Sequence, residues 1–165
     1  MELRAFEGRW RIERDIEDVK AGRTGRFAGE AVFAPVLDGL AYVETGTLTL
    51  QGAAPMAASR RYLWRAGGPG TIEVLFEDGR FFHRIDAEEP TSGAVHACAP
   101  DLYRVRYDFR GWPRWLAEWR VSGPRKDYAM VSRYAPARGA PLGEAGASPG
   151  AQAVTSAATR RRPSW

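Results

Sequence analysis

Large apolar residues alternate with charged ones over much of the chain. In two successive segments, 103–110 and 115–121, every second residue is apolar. These apolar positions are Tyr103, Val105, Tyr107 and Phe109, followed by Trp115, Ala117, Trp119 and Val121. A period of two is that of a β-strand with one face in a dry interior and the other in water. The alternation therefore predicts half-buried strands rather than helices.

Ten such runs are predicted before residue 136. They cover 6–15, 25–34, 40–50, 57–65, 71–76, 80–85, 94–97, 103–110, 115–121 and 127–134. Turn-forming dipeptides such as Asp78-Gly79 and Gly123-Pro124 separate them, and 15–20 is interpreted as a loop or one short turn. Short successive hairpins without crossover helices predict an all-β fold, an up-and-down antiparallel β-barrel of about 8–10 strands. A two-layer sandwich is the alternative, but its connections would need longer loops.

The composition changes at the end of the predicted barrel domain, residues 1–135. Residues 136–165 are rich in Ala, Gly, Pro, Ser and Thr, with almost no large apolar residue before Trp165. Such a segment cannot bury enough apolar surface to offset the entropy lost on ordering. It is therefore predicted to be a disordered tail.

The same division accounts for the basic character of the chain. The net charge is +4, and the tail contributes +3 of it through four arginines and one glutamate. The remaining 20 basic and 19 acidic residues are interleaved, so no extended basic face for nucleic acid is expected.

Cysteine content and hydropathy indicate the compartment. Cys98 is the single cysteine, which rules out an intramolecular disulfide, and no apolar window reaches the length of a membrane span. The sequence starts with charged residues where a signal peptide would be apolar. A cytoplasmic protein without membrane insertion, monomer or homodimer, is the expectation.

Two histidines are the first candidates for chemistry. The pleat predicts that His83 faces inward with Phe81 and Ile85, and that His96 shares a face with Cys98. Either histidine is a candidate acid or base, or a metal ligand beside Cys98, Asp86 or Asp101. The spacing is poor for metal, so no metal site is predicted, and a hydrogen-bonded core histidine is the structural alternative.

Further candidates lie in the second half of the chain. Asp101, Tyr103 and Tyr107 are predicted to converge, with Asp101 and Tyr103 joining His83 as candidate catalytic residues. Lys126 lies in a hairpin turn, where it can attract an anion or simply pair on the surface. The predicted ligand-binding residues are Tyr62, Trp64, His96, Tyr107, Trp119, Arg120, Lys126 and Tyr128. Packing alone is the alternative for the aromatic members.

Two resemblances accompany these patterns. Gly8-Arg9-Trp10 resembles the Gly-x-Trp element of lipocalin and calycin barrels, which implies that Arg133 of the last strand lies across the Trp10 indole. Segments such as 6–10, 61–65, 81–83, 96–103 and 119–128 are similar to the DUF6314 family of bacterial proteins, which implies a fold but no activity. Ten-stranded calycin-like barrels include heme binders whose axial histidine lies late in the barrel, where this chain has none. His83 or His96 is then the minority candidate for iron.

Two functions remain open at this point. The leading prediction is binding of a small, mainly apolar molecule with a polar or anionic group inside the barrel. The alternative is a cofactor-independent enzyme of cyclase or isomerase type, acting on a hydrophobic metabolite in the same cavity. No cofactor is expected in either case, and a scaffold whose arginine-rich tail recruits a partner is a third possibility.

Overall fold

The alternating segments form ten antiparallel strands. The structure, a computed structural model, describes residues 1–137, so most of the predicted tail lies outside the described residues. A short 3-10 helix, η1 (Leu3–Phe6), precedes the strands. The strands are β1 (Gly8–Asp18), β2 (Arg23–Val36), β3 (Gly39–Leu50), β4 (Met56–Gly68), β5 (Thr71–Phe76), β6 (Phe81–Asp86), β7 (Thr91–Cys98), β8 (Asp101–Asp108), β9 (Trp115–Ser122) and β10 (Asp127–Pro136).

The strands pair in an up-and-down order that joins the first to the last. Spatially they run β6-β5-β4-β3-β2-β1-β10-β9-β8-β7, and β1 pairs with β10 from Trp10↔Pro136 to Asp18↔Tyr128. The two edges, β6 and β7, meet through side chains: Ser92 Oγ accepts from the Asp86 N–H at 2.8 Å, and the rings of Phe82 and His96 lie 5.1 Å apart. The predicted antiparallel barrel is confirmed, and it is nearly closed.

Two predictions for the start of the chain were wrong. Phe6 belongs to η1 rather than to the first strand, and 15–20 is largely strand. The first strand continues because Ile16 pairs with Met130 on one side and Gly25 on the other. The extra length adds Ile16 to the inner face, which already holds Trp10, Ile12 and Arg14.

Helix η1 closes the end of the barrel where β1 begins, which we call the closed end. Phe6 is fully buried, and its ring contacts five others, those of Phe33, Trp64, Phe109, Trp112 and Trp115. Trp10 Nε1 donates to the Phe6 carbonyl at 2.7 Å. The closed end is thus sealed by aromatic packing plus one hydrogen bond.

The predicted stacking of Arg133 on Trp10 was wrong. Arg133 is exposed and donates to Asp15 Oδ2 at 2.6 Å on the outer surface. Successive side chains of a strand point to opposite faces, so Tyr134 takes the inward position. Its ring stacks on Trp115, with centroids 3.6 Å apart.

A β-bulge changes the inner face of β6. Val74 pairs with His83 but Leu75 pairs with Phe81, which leaves Phe82 as the extra residue. Phe82 and His83 are therefore both buried, while Phe81 is 49% exposed. The prediction that Phe81 faces inward with His83 was wrong for this reason.

Paired glycines bring β2 and β3 close together beneath the ion pair described below. Gly29 and Gly46 are cross-strand partners. A Cβ on Gly29 would lie 2.2 Å from the Thr45 carbonyl oxygen, and one on Gly46 would lie 2.7 Å from Phe27 Cζ. Only glycine allows this approach, which leaves inner space for the Phe27 ring and the Arg14 side chain.

Candidate functional site

The turns 19–22, 51–55, 77–80, 99–100 and 123–126 surround the other end of the barrel, which we call the mouth. Midway between the two ends lies a buried ion pair. Arg14 Nη1 and Nη2 donate to the two carboxylate oxygens of Glu44 at 2.8 and 2.7 Å, and Arg14 Nε donates to Ser132 Oγ at 2.6 Å. The two charged side chains are only 6% and 3% exposed. This two-bond geometry fixes both of them.

Two tyrosines complete the hydrogen bonding of Glu44. Tyr42 Oη donates to Glu44 Oε2 at 2.5 Å and also lies 3.0 Å from Tyr134 Oη. Burial favours the neutral carboxyl, but the charge and hydrogen bonds of Arg14 outweigh it and lower the Glu44 pKa to about 2. Burial raises the pKa of both tyrosines, so Glu44 is the anion of this cluster.

Arg60 is a second inward-facing cation, and its charge is not matched. Its nearest carboxylate oxygen is Glu44 Oε1 at 3.7 Å, which already accepts from Arg14. Within residues 1–137 its guanidinium makes no hydrogen bond that meets ordinary geometry, and the side chain is 24% exposed. Asp18, at the rim, pairs with Arg23 at 3.6 Å. The interior therefore carries one surplus positive charge, at Arg60.

Two cavities lie on either side of this charged layer. The outer lobe, about 60 Å³, faces the mouth, and the deep lobe, about 20 Å³, faces the closed end. Arg14, Glu44 and Arg60 line both lobes. Asp18, paired with Arg23, and Ser59 also line the outer lobe. Its other walls are mainly apolar and come from Ile16, Phe27, Leu48, Leu50, Ala58, Tyr128 and Met130.

The deep lobe contains one of the two histidines. His83 is 3% exposed, and its Nε2 lies 2.8 Å from Tyr107 Oη. Burial, with a smaller contribution from His96, lowers the His83 pKa to about 3. His83 is therefore neutral at physiological pH, as expected of a hydrogen-bonded core histidine.

At the mouth, the inner-face rings are only half buried. These are the side chains of Tyr62, Phe76, His96, Tyr103, Trp119 and Tyr128. Lys126 joins them, with its Nζ 2.9 Å from Asp101 Oδ2 and 3.0 Å from Tyr103 Oη. The hydrogen bond to Tyr103, and to a smaller extent the one to Asp101, raises the pKa of Lys126. Gly123 admits Asp101, since a Cβ there would lie 2.0 Å from Asp101 Oδ1.

The structure thus divides the residues that the sequence singled out. Asp101, Tyr103 and Lys126 converge at the mouth. The deep lobe is lined by Tyr62, Trp64, His83, Tyr107 and Trp119, and the outer lobe by Tyr128. Arg120 points outward to Asp127 at 3.1 Å. His96 is half buried, whereas Cys98 and Asp86 are exposed. No cluster of three or more His, Cys, Asp or Glu side chains fit for a metal occurs within residues 1–137. Acid–base roles for His83, Asp101 and Tyr103 stay predictions, as does heme ligation.

The profile of DUF6314, described as a family of unknown function, matches residues 6–136. The chain belongs to the DUF6314 family. No curated protein matches this DUF6314 chain. Among solved structures, the S-type phycobiliprotein lyase CPES from Guillardia theta is similar, with a TM-score of 0.58 at 10% identity over 82% of this chain and 90% of the lyase. The lyase shares the calycin-like barrel fold.

A second similar structure is the redesigned β-barrel mFAP1 bound to DFHBI. Its TM-score is 0.37 at 9% identity, over 80% of this chain and 95% of that barrel. No helix in residues 1–137 of the DUF6314 chain is long and apolar enough to cross a membrane.

The three residues of the charged layer were not among those predicted from the sequence. Each of them occupies an alternate position that faces inward with apolar neighbours. Arg14 comes two residues after Ile12, Glu44 two after Tyr42, and Arg60 two before Tyr62. Charged side chains in phase with buried aromatic ones were the signal that could have found them. Pairing across strands, which decides that Arg14 meets Glu44, is not visible in the sequence.

Proposed function

We propose that the barrel binds a small, mainly apolar molecule that carries an anionic group, and that Arg60 holds that group. The observation that carries this proposal is the surplus charge at Arg60. Glu44 is committed to Arg14 by two hydrogen bonds, so a ligand anion would be the partner that Arg60 lacks. Charge-assisted hydrogen bonds to a guanidinium are among the strong polar contacts in proteins.

The surroundings of Arg60 support an apolar remainder. The outer lobe offers aliphatic and aromatic side chains such as Leu48, Phe27 and Met130, with few other polar groups. Beyond it, half-buried rings such as Phe76 and Tyr103 offer additional apolar surface at the mouth. Mainly apolar walls with a few placed polar groups are the usual composition of ligand sites. The volume of about 60 Å³ limits the enclosed part of such a ligand to a small group, with the rest toward the mouth.

The experiment compares an acid with its neutral ester. The probes are para-isopropylbenzoate and its methyl ester, and their binding is followed by quenching of tryptophan fluorescence or by calorimetry. We expect the acid to bind at least about tenfold more tightly than the ester, because only the acid pairs with Arg60. Arg60→Gln should abolish this preference.

The matched control is Arg61→Gln. Arg61 follows Arg60 on β4 but points to the outer face of the barrel, where its side chain is 61% exposed beside Glu77. This variant should retain the full preference for the acid. Equal binding of acid and ester by the wild-type protein, or an unchanged preference in Arg60→Gln, would contradict the proposal.

A further inference from the structure

The deep lobe concentrates buried polar atoms that lack partners. Four buried side-chain nitrogens within residues 1–137 have no hydrogen-bond partner, and three of them belong to residues that line this lobe. They are Trp64 Nε1, Trp115 Nε1 and His83 Nδ1, on side chains that are only 4%, 2% and 3% exposed. Buried N–H groups are almost always hydrogen bonded in folded proteins, and an unsatisfied one is destabilising. The two indole N–H groups can only donate, whereas His83 Nδ1 is a donor or an acceptor according to its tautomer, so the lobe offers two donors for an acceptor.

The rings that carry these atoms are held in fixed positions. Trp64, Tyr107 and Trp115 form a triangle with centroid separations of 6.3, 6.3 and 6.4 Å. His83 stacks on Tyr107 at 5.8 Å and is hydrogen bonded to it. Tyr134 stacks on Trp115 from the other side. The indole N–H groups are therefore oriented before anything binds, which lowers the entropy cost of binding.

Arg60 is the movable part of the layer that separates the lobes. Arg14 and Glu44 are fixed by their two mutual hydrogen bonds, and Arg14 is fixed further by Ser132. Arg60 has only the 3.7 Å contact with Glu44 and is partly exposed. For one ligand to reach both lobes, the Arg60 side chain would have to turn toward the mouth, which would place the positive charge at the outer end of the joint site and the indole donors at the inner end.

We propose that the deep lobe recognises an uncharged carbonyl oxygen of the ligand, with Trp64 Nε1 and Trp115 Nε1 as donors. This inference rests on the proposed function, because the same ligand would present its anionic group to Arg60. It defines the ligand class as a small aromatic or conjugated acid with a ketone or aldehyde at the opposite end.

The chemistry of the deep lobe favours a neutral acceptor. A carbonyl oxygen has two lone pairs and accepts two N–H bonds. Of the charged groups that line this lobe, Arg14 and Glu44 neutralise each other, and Arg60 is assigned to the anionic group at the other end of the ligand. Neutral His83 supplies no further charge to offset the desolvation of an anion there. The volume of about 20 Å³ suits one oxygen-sized group, which a single water would also fill.

The test adds para-acetylbenzoate to the probe set. It has about the size of para-isopropylbenzoate, with a carbonyl oxygen in place of one methyl group, and because isopropyl is the more apolar of the two groups, a preference for the acetyl compound reports the acceptor. We expect the wild-type protein to bind the acetyl compound about tenfold more tightly, since two neutral hydrogen bonds replace none. Trp64→Phe and Trp115→Phe, which remove one donor each, should reduce that ratio, whereas Arg60→Gln should weaken both acids and keep it.

Proton–nitrogen correlation NMR of the wild-type indoles reads the same contact without a core substitution. The Trp64 and Trp115 indole signals, assigned through the two variants, should move downfield with the acetyl compound and not with the isopropyl compound. The Trp10 indole, bonded to the Phe6 carbonyl, is the internal control and should stay in place.

The outcomes separate the two proposals. If both acids bind equally and the indole signals do not distinguish them, the carbonyl site is wrong, a resident water accounts for the deep lobe, and the role of Arg60 stands. If neither acid binds, both proposals are wrong. A carbonyl preference that survives both tryptophan substitutions also overturns the inference.

Discussion

The two ends of this barrel are made by the same strands but are packed differently. At the closed end, Phe6, Trp10 and Trp115 are at most 2% exposed, and their rings contact one another. At the mouth, inner-face rings such as Tyr62 and Tyr103 stay half buried, among the charges of Lys126 and Asp101. The inward alternation is the same at both ends. What differs is that η1 covers one end and, within residues 1–137, no segment covers the other.

The closed end and the mouth of the same sheet are therefore expected to differ in how much they contribute to stability. Burial of an aromatic ring contributes most to the free energy of unfolding where the ring has no remaining contact with water. Half-buried rings and an unmatched charge are still in contact with water, so covering them with a ligand would be favourable. The charged layer of Arg14, Glu44 and Arg60 lies between these regions, fully matched for one arginine and unmatched for the other.

The largest contrast is expected from truncating a ring at each end. Phe6→Ala removes a fully buried side chain with five ring neighbours and should lower the free energy of unfolding by about 3–5 kcal/mol in urea titrations. Phe76→Ala at the mouth removes a half-buried ring and should cost only about 1–2 kcal/mol. Equal losses would mean that the closed end is not the more stable region.

The next largest effect concerns the charged layer. Glu44→Gln leaves the Arg14 guanidinium buried without a matching charge and should destabilise the protein by about 3 kcal/mol in the same assay. Arg14→Met combined with Glu44→Leu removes both charges and should recover most of the loss. A double variant as unstable as Glu44→Gln would show that packing, rather than charge, governs this layer.

The stability of the protein should vary with pH mainly because of His83 in the deep lobe. His83 has a folded-state pKa of about 3, so as pH falls below about 6.5 the unfolded chain takes up a proton that the folded protein refuses. Stability is therefore complete above that pH, and about 2 kcal/mol of it should be lost between about pH 7 and pH 5. Glu44, with a pKa of about 2, adds a further loss below about pH 4.5.

Two variants test that assignment by urea titration at several pH values. His83→Gln should flatten the dependence between about pH 7 and pH 5, because glutamine does not titrate. His96→Gln, at the half-buried mouth position, should retain the slope. If the slope disappears with His96→Gln instead, the deep histidine is not its source.

The smallest effect is expected at the mouth. Lys126→Met removes an ion pair whose side chains are 26% and 15% exposed, so the loss in free energy of unfolding should be under about 1 kcal/mol. Thermal denaturation at low and high salt measures it. A loss as large as that of Glu44→Gln would remove the distinction between mouth and charged layer.

Alternation of apolar and charged residues was enough to predict the barrel, most of its strands and the inward position of Trp64, Tyr107 and Trp119. The sequence grouped Asp101 and Tyr103 but did not predict their contact with Lys126, which depends on the antiparallel pairing of β8 with β9 at the mouth. The predictions for Phe81 and Arg133 were wrong for local reasons. A β-bulge in β6 changes which of its residues point inward. In β10, Arg133 is one residue away from an inward position.

The sequence by itself determined which residues share a face, because side chains in a strand alternate whatever lies next to them. Only the tertiary structure decided which faces meet. Arg14 and Glu44 are thirty residues apart, Arg14 and Ser132 lie on the first and last strands, and the unmatched charge of Arg60 exists only because Glu44 is already taken. Pairing of charges depends on distances across the barrel, and those are set by strand register and closure rather than by any local pattern.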